Sequence, residues 1–330
     1  MTALWDTSGT AVIKALSAER RAAGSVSSGL ALTLVAVVDE KLVTEAEQAA
    51  TAAAAQHPCR LLVVVRRRPD APEPRLDAEV SVGGRLGPGE AVVMRMYGRL
   101  ALHAESVVLP LLAPDAPVVT WWFGEPPHLI AHDPLGVIAD RRITDAAAAE
   151  DPAAAQRTRA NDYAPGDTDL AWTRTTLWRS LCASAYDSLS GDPHGAKVTG
   201  EASNPSRALL AGWLERRLGV HVAVEDTEGP GVTGVELKIG DDTVTVARKD
   251  GRTATLSRTG QPDRAMPLPR RELGDLLAEE LRRLDADEIY AESLETVTGL
   301  HGLSARAPKR THVWQDPMDA SDPDPALTTS

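Results

Sequence analysis

The sequence predicts an α/β protein of mixed α/β and α+β character, arranged as two domains. Three observations carry this expectation. Residues 30–38 and 61–65 are continuous apolar runs rich in Val and Leu, as strands buried on both faces of a parallel sheet are. An Ala-rich helical stretch at about 44–56 lies between them, so the three form a βαβ unit with a right-handed crossover. Further on, stretches near 220–225, 233–239, 242–248 and 253–258 are joined by Gly-containing turns, the pattern of an antiparallel meander. A chain of 330 residues is also long enough to divide into two cores.

The remaining elements follow in order. Val12, Ile13 and Leu16 have helical spacing over 10–22, and Gly24 stops that helix. Residues 76–82 and 91–97 alternate as strands around a glycine-rich turn at 83–89. A helix is expected over 99–112, a strand over 117–122, a short helix near Pro134 and a strand at 140–144. These complete an N-terminal domain, mostly a parallel sheet with helices, over 1–150. Residues 151–168 read as a linker rich in Ala, Asp and Pro.

Thr168 or Asp169 then caps a long helix to about 189, with Trp178, Leu181, Cys182, Ala185 and Leu189 on one face. Asn204 and Pro205 open a second helix, and Gly219 ends it. Leu-rich helices at about 270–284 and 286–299 flank the meander and close a C-terminal domain over 169–300. The acidic, aperiodic residues 301–330 are expected to be a disordered tail.

Composition excludes several function classes. The net charge of -12 repels phosphate backbones, so no nucleic-acid partner is expected. The run Arg66–Arg68 reads as a solvated strand end. No apolar run reaches the length of a membrane span and no signal segment opens the chain, so a cytoplasmic protein with no membrane partner is expected. Cys59 and Cys182 are the 2 cysteines, and both read as small core residues rather than redox centres.

No recognisable catalytic motif stands in the sequence. Gly229, Gly231 and Gly234 have dinucleotide-loop spacing, but the following residues alternate as a strand instead of opening a helix, so no cofactor is expected. His128 and His132 are four apart, yet Pro126, Pro127 and Pro134 bracket them and no third ligand is evident, so no metal is expected. No catalytic residue is assigned.

Two clusters remain as candidates for partner binding. Trp121 and Trp122 lie at the carboxyl end of an expected parallel strand, where open α/β sheets place their crevices, and adjacent strand residues face opposite ways. One is thus expected in the core and the other toward a cleft or partner. In the second cluster Asp169, Trp172, Arg174, Thr175 and Arg179 join the long helix, with Trp172, Thr175 and Arg179 off its buried stripe. An exposed Trp–Arg face of this kind suits an interface, and a solvated helix face is the plain alternative. Arg141 and Arg142 beside Asp145 are a lesser candidate of the same type.

Several pieces then occur in a recognisable order. They are His57-Pro58-Cys59-Arg60, Gly89-Glu90, Pro117 through Trp122, Asp140 through Asp145, Asp169 through Arg174 with Trp178-Arg179, and Asn204-Pro205-Ser206-Arg207 leading to Leu214. In this order the chain resembles the actinobacterial type of glucose-6-phosphate dehydrogenase assembly protein, the OpcA family, from about residue 10 to 300. The resemblance implies a non-enzymatic partner of glucose-6-phosphate dehydrogenase that supports its oligomerisation or allosteric activation in the pentose phosphate pathway of carbohydrate metabolism. It supplies no catalytic residues. The competing reading is a regulatory protein or relict enzyme that binds a sugar phosphate or nucleotide through Arg141, Arg174 and Arg179; sensing of a sugar phosphate or NADP is otherwise expected only in the complex.

Overall fold

A computed structural model describes residues 1–24, 30–83 and 89–308. The first sheet, among the described residues, has eight strands: β1 (Thr2–Leu4), β2 (Leu32–Val38), β3 (Cys59–Arg67), β4 (Arg75–Val82), β5 (Glu90–Tyr97), β6 (Val118–Phe123), β7 (Arg141–Thr144) and β8 (Asp167–Asp169). Their order is β1-β4-β5-β3-β2-β6-β7-β8. From β5 through β8 every neighbour is parallel, while β4 and then the edge strand β1 extend the sheet antiparallel. The central strands β2 and β3 are buried along almost their whole length, as continuous apolar runs require.

The helices of this half are α1 (Gly9–Ala22), α2 (Val43–Ala54), α3 (Arg99–Leu102), α4 (Glu105–Val108), α5 (Pro134–Val137), α6 (Pro152–Asp162) and α7 (Leu170–Thr173). Two apolar layers enclose the sheet. Val12 and Leu16 of α1 pack with Val35, Leu62 and Met94 on one face. The alanines of α2 pack with Leu34, Leu61 and Trp121 on the other.

The second half contains α8 (Thr176–Asp187), β9 (Pro193–Gly200), α9 (Pro205–Leu218), β10 (Val222–Asp226), β11 (Val232–Ile239), β12 (Asp242–Arg248), β13 (Thr253–Arg258), β14 (Gln261–Pro267), α10 (Leu273–Arg282) and α11 (Glu288–Thr298). The six strands are ordered β10-β9-β11-β12-β13-β14. Strands β11 to β14 form the antiparallel meander. The strand expected near 220–225 does not join it: β10 is an edge strand parallel to β9, and α9 makes the crossover between them. Trp178 and Cys182 of α8 and Leu210 and Leu214 of α9 cover one face of this sheet.

Four further expectations change. Residues 99–112 are not one helix: His103 leaves helical geometry (φ -114°, ψ 43°), and Pro110 falls in a short 3-10 turn at Leu109–Leu111. The helix expected over 169–189 divides into α7 and α8, because the Thr175 N–H bonds to the Trp172 carbonyl three residues back and tightens the turn. The segment 151–168, expected as a linker, instead carries α6 and β8, and β8 extends the first sheet. Finally, α10 leaves the second half and places Leu276, Leu277 and Leu281 in the core between α2 and the first sheet. The turn residues 84–88 and the tail residues 309–330 lie outside the described residues.

Candidate functional site

The second candidate cluster does come together, but inside the molecule. Strands β7 and β8 bring Arg141, Arg142 and Asp169 to the edge of the first sheet, and α7 continues directly from Asp169. All three side chains are buried, as are Trp172 and Thr175. The expected exposed Trp–Arg face is therefore a buried seam. The tightened turn at Thr175 is the reason: a single helical wheel cannot describe two helices with different axes.

Each charge in the seam has a specific partner. Arg141 donates to the Glu280 carboxylate of α10 through both Nε (3.1 Å) and Nη2, and Nη1 donates to the Asp285 carbonyl at 2.8 Å. The Thr173 hydroxyl donates to the other oxygen of Glu280 at 2.6 Å. Arg142 pairs with Asp167 on the adjacent strand and donates to the Ala139 and Pro165 carbonyls at 3.1 and 2.9 Å. Arg174 makes a two-pronged contact with Asp145, at 2.6 and 2.7 Å.

Asp169 accepts from the Thr144 hydroxyl (2.7 Å) and from the backbone N–H groups of Ala146 and Ala171, which makes it the cap of α7. Burial, reinforced by the neighbouring Asp145 charge, raises its pKa above the usual aspartate range. Trp172 donates its indole N–H to Asp287 at 2.8 Å, ahead of α11. The Arg179 guanidinium lies 3.7 Å above the indole, donates to the Thr175 hydroxyl at 3.0 Å and is held below the usual arginine pKa by burial.

The tryptophan pair sits apart from this seam, on β6. Trp121 faces the α2 layer, where its ring centroid is 4.9 Å from that of Phe123. Trp122 faces the other way, toward Gly136. A Cβ at Gly136 would lie 1.7 Å from the Ile130 carbonyl oxygen and 3.4 Å from the Trp122 ring. Both indoles are buried, so neither is an exposed anchor. Trp122 nonetheless lines a crevice of about 620 Å³ beyond the carboxyl ends of β2, β3 and β6, with Arg66, Pro127 and Arg159 among its walls. Sequence reasoning missed Arg159, which is 7% exposed and donates to the Pro127 and His128 carbonyls at 2.7 and 2.6 Å.

The setting gives no support to redox or metal roles at the residues considered for them. Burial pushes the thiols of Cys59 and Cys182 up to about 12, so both are poor nucleophiles at neutral pH. His128 and His132 precede α5 and share no helix. Gly231 has φ 74° and leads straight into β11, so Gly229 and Gly231 belong to a turn before a strand and Gly234 lies within that strand.

Fold and site together define a two-sheet α/β protein whose candidate polar residues are engaged in joining its own halves. Residues 50–161 match the glucose-6-phosphate dehydrogenase subunit N-terminal domain, and residues 165–294 match the subunit's C-terminal domain. The chain belongs to the OpcA family of glucose-6-phosphate dehydrogenase subunits. No curated protein sequence matches it significantly. Among solved structures it is similar to a 3-ketoreductase from Actinomadura kijaniata in complex with NADP and TDP-benzene, at 12% identity and a TM-score of 0.42 over 81% of this chain and 95% of that one. It is also similar to an oxidoreductase from Sinorhizobium meliloti, at 9% identity and a TM-score of 0.43 over 86% of this chain and 99% of that one. Likeness at this level carries nothing about reaction or cofactor.

Proposed function

We propose that the chain is a non-catalytic subunit that binds glucose-6-phosphate dehydrogenase and promotes its oligomerisation or activity. The observation that carries this reading is the match of both halves to domains described as subunits of that enzyme. The internal use of the candidate polar residues supports it: Arg141, Arg142, Asp169 and Arg174 are each held by partners within the chain. Their part in this role is to fix α7, α10 and α11 against the first sheet and so to position surfaces that meet the enzyme.

No described helix is long and apolar enough to cross a membrane. Deletion of the gene tests the proposal. Dehydrogenase activity in the lysate, or the enzyme's native size, is expected to fall and to return on complementation. Unchanged activity and size after deletion would remove the basis for the role.

A further inference from the structure

The second half contains a pocket of about 220 Å³ bounded by α8, the start of α9 and the chain entering β11 and leaving β14. Trp178, Leu268 and Pro269 give it apolar walls. Arg248, the last residue of β12, lines it at 8% exposure. Its Nη1 and Nη2 donate to the carbonyls of Leu268 (3.2 Å) and Val232 (3.0 Å), while its buried Nε has no hydrogen-bond partner. The guanidinium sits 5.1 Å from the centroid of the Trp178 ring. Burial, with repulsion from Arg270, lowers its pKa to about 10.

Ser206, on the first turn of the 14-residue α9, also lines the pocket. It is 4% exposed, and its Oγ has no partner. Arg270 is exposed at the opening and donates only to the Pro230 carbonyl, at 2.8 Å. Of the other charged groups nearby the arginines have carboxylate partners, whereas Glu201 and Asp250 accept from backbone N–H groups and form no ion pair among the described residues. Arg174 and Arg271 have Asp145 and Glu279, Glu201 accepts from the Gly231 N–H at 3.1 Å, and Asp250 accepts from the Arg252 and Thr253 N–H groups. Among the described residues Arg248 and Arg270 donate to backbone carbonyls and form no ion pair with a carboxylate.

Two guanidinium groups that form no ion pair, Arg248 with only the through-space charge of Asp250 to offset its own, and an unpartnered hydroxyl therefore line one small, apolar-walled pocket. An arginine fork matches a phosphate in charge and geometry, and a dianion balances both guanidinium charges where a carboxylate balances one. The volume is below the roughly 300 Å³ at which pockets for larger organic ligands begin, which argues against a whole dinucleotide. We propose that this pocket binds the phosphate group of a small phosphorylated metabolite, with Arg248 and Arg270 supplying charge and Ser206 a neutral donor.

The test uses the chain alone, so it is independent of any association with the dehydrogenase. Inorganic phosphate and glucose 6-phosphate are titrated by calorimetry and by thermal shift, against sodium chloride at matched ionic strength and against glucose. Saturable binding of either phosphate is expected, and tighter binding of the sugar phosphate assigns the organic part of the ligand. Arg270→Ala removes an exposed side chain and should weaken binding by about tenfold, the worth of a charged hydrogen bond. Ser206→Ala should weaken it less. Absence of saturable binding, an equal response to chloride, or undiminished affinity in a folded Arg270→Ala variant would overturn the proposal.

Discussion

Trp172 shows how a residue suited to an interface can serve the interior instead. Its indole N–H reaches Asp287 at 2.8 Å, its ring lies under Arg179, and the Tyr290 ring centroid is 6.0 Å away. Trp172→Ala should therefore cost roughly 3–5 kcal/mol in urea unfolding, the usual range for a buried tryptophan. A change under 1 kcal/mol would mean that the seam contributes little. Glu90 is a second residue with a measurable signature. Desolvation raises its pKa, but hydrogen bonds and charge from Arg20 and Arg60 outweigh this and hold it below the glutamate range. Because its folded value is depressed, its contribution is complete above the unfolded value of about 4.3 and is lost as pH falls through the folded value. Glu90→Gln should cost about 3 kcal/mol at neutral pH and flatten acid unfolding followed by circular dichroism. An unchanged acid midpoint would contradict the pairing. Much of this residue scale was hidden in the sequence, since Arg141 finds Glu280 at a separation of 139 positions. One signal was available: Glu280 falls on the same helical stripe as Leu276 and Leu277, and a charge on an apolar stripe implies a buried partner.

Elements with strong patterning were legible. The unbroken apolar runs of β2 and β3, and the cap Asn204 with Pro205 at the start of α9, announce themselves through period and capping chemistry. Weakly patterned elements were not. Strand β9 contains two glycines and little apolar surface, and β14 is an almost fully exposed edge where Pro262 is tolerated. The partner of a helix was also illegible, because an amphipathic face does not say what covers it. Helix α9 shows the consequence at Gly212, whose missing side chain admits α11. A Cβ there would lie 2.8 Å from the Ser293 carbonyl oxygen and 3.1 Å from Val297 Cγ2. Gly212→Ala improves helix propensity by about 1 kcal/mol, yet the close backbone contact should dominate and give a net loss of about 1–3 kcal/mol. A raised melting temperature in calorimetry would show that α11 can shift to accept the methyl group.

At the scale of the whole molecule, the two halves share structure rather than meeting at a linker. Strand β8 completes the first sheet, α10 returns to its core beside α2, and the pair Arg141–Glu280 closes the join. The buried candidate residues Arg141, Arg142, Asp169 and Trp172 thus act as framework. Association with glucose-6-phosphate dehydrogenase is the proposal on which the role of the chain rests. The direct measurement is size-exclusion chromatography with light scattering on the purified chain mixed with the dehydrogenase from the same cells, with specific activity followed across the peak. A joint peak heavier than either component is expected, with a larger dehydrogenase oligomer or higher specific activity. Two separate peaks at micromolar concentrations, with activity unchanged by mixing, would contradict it.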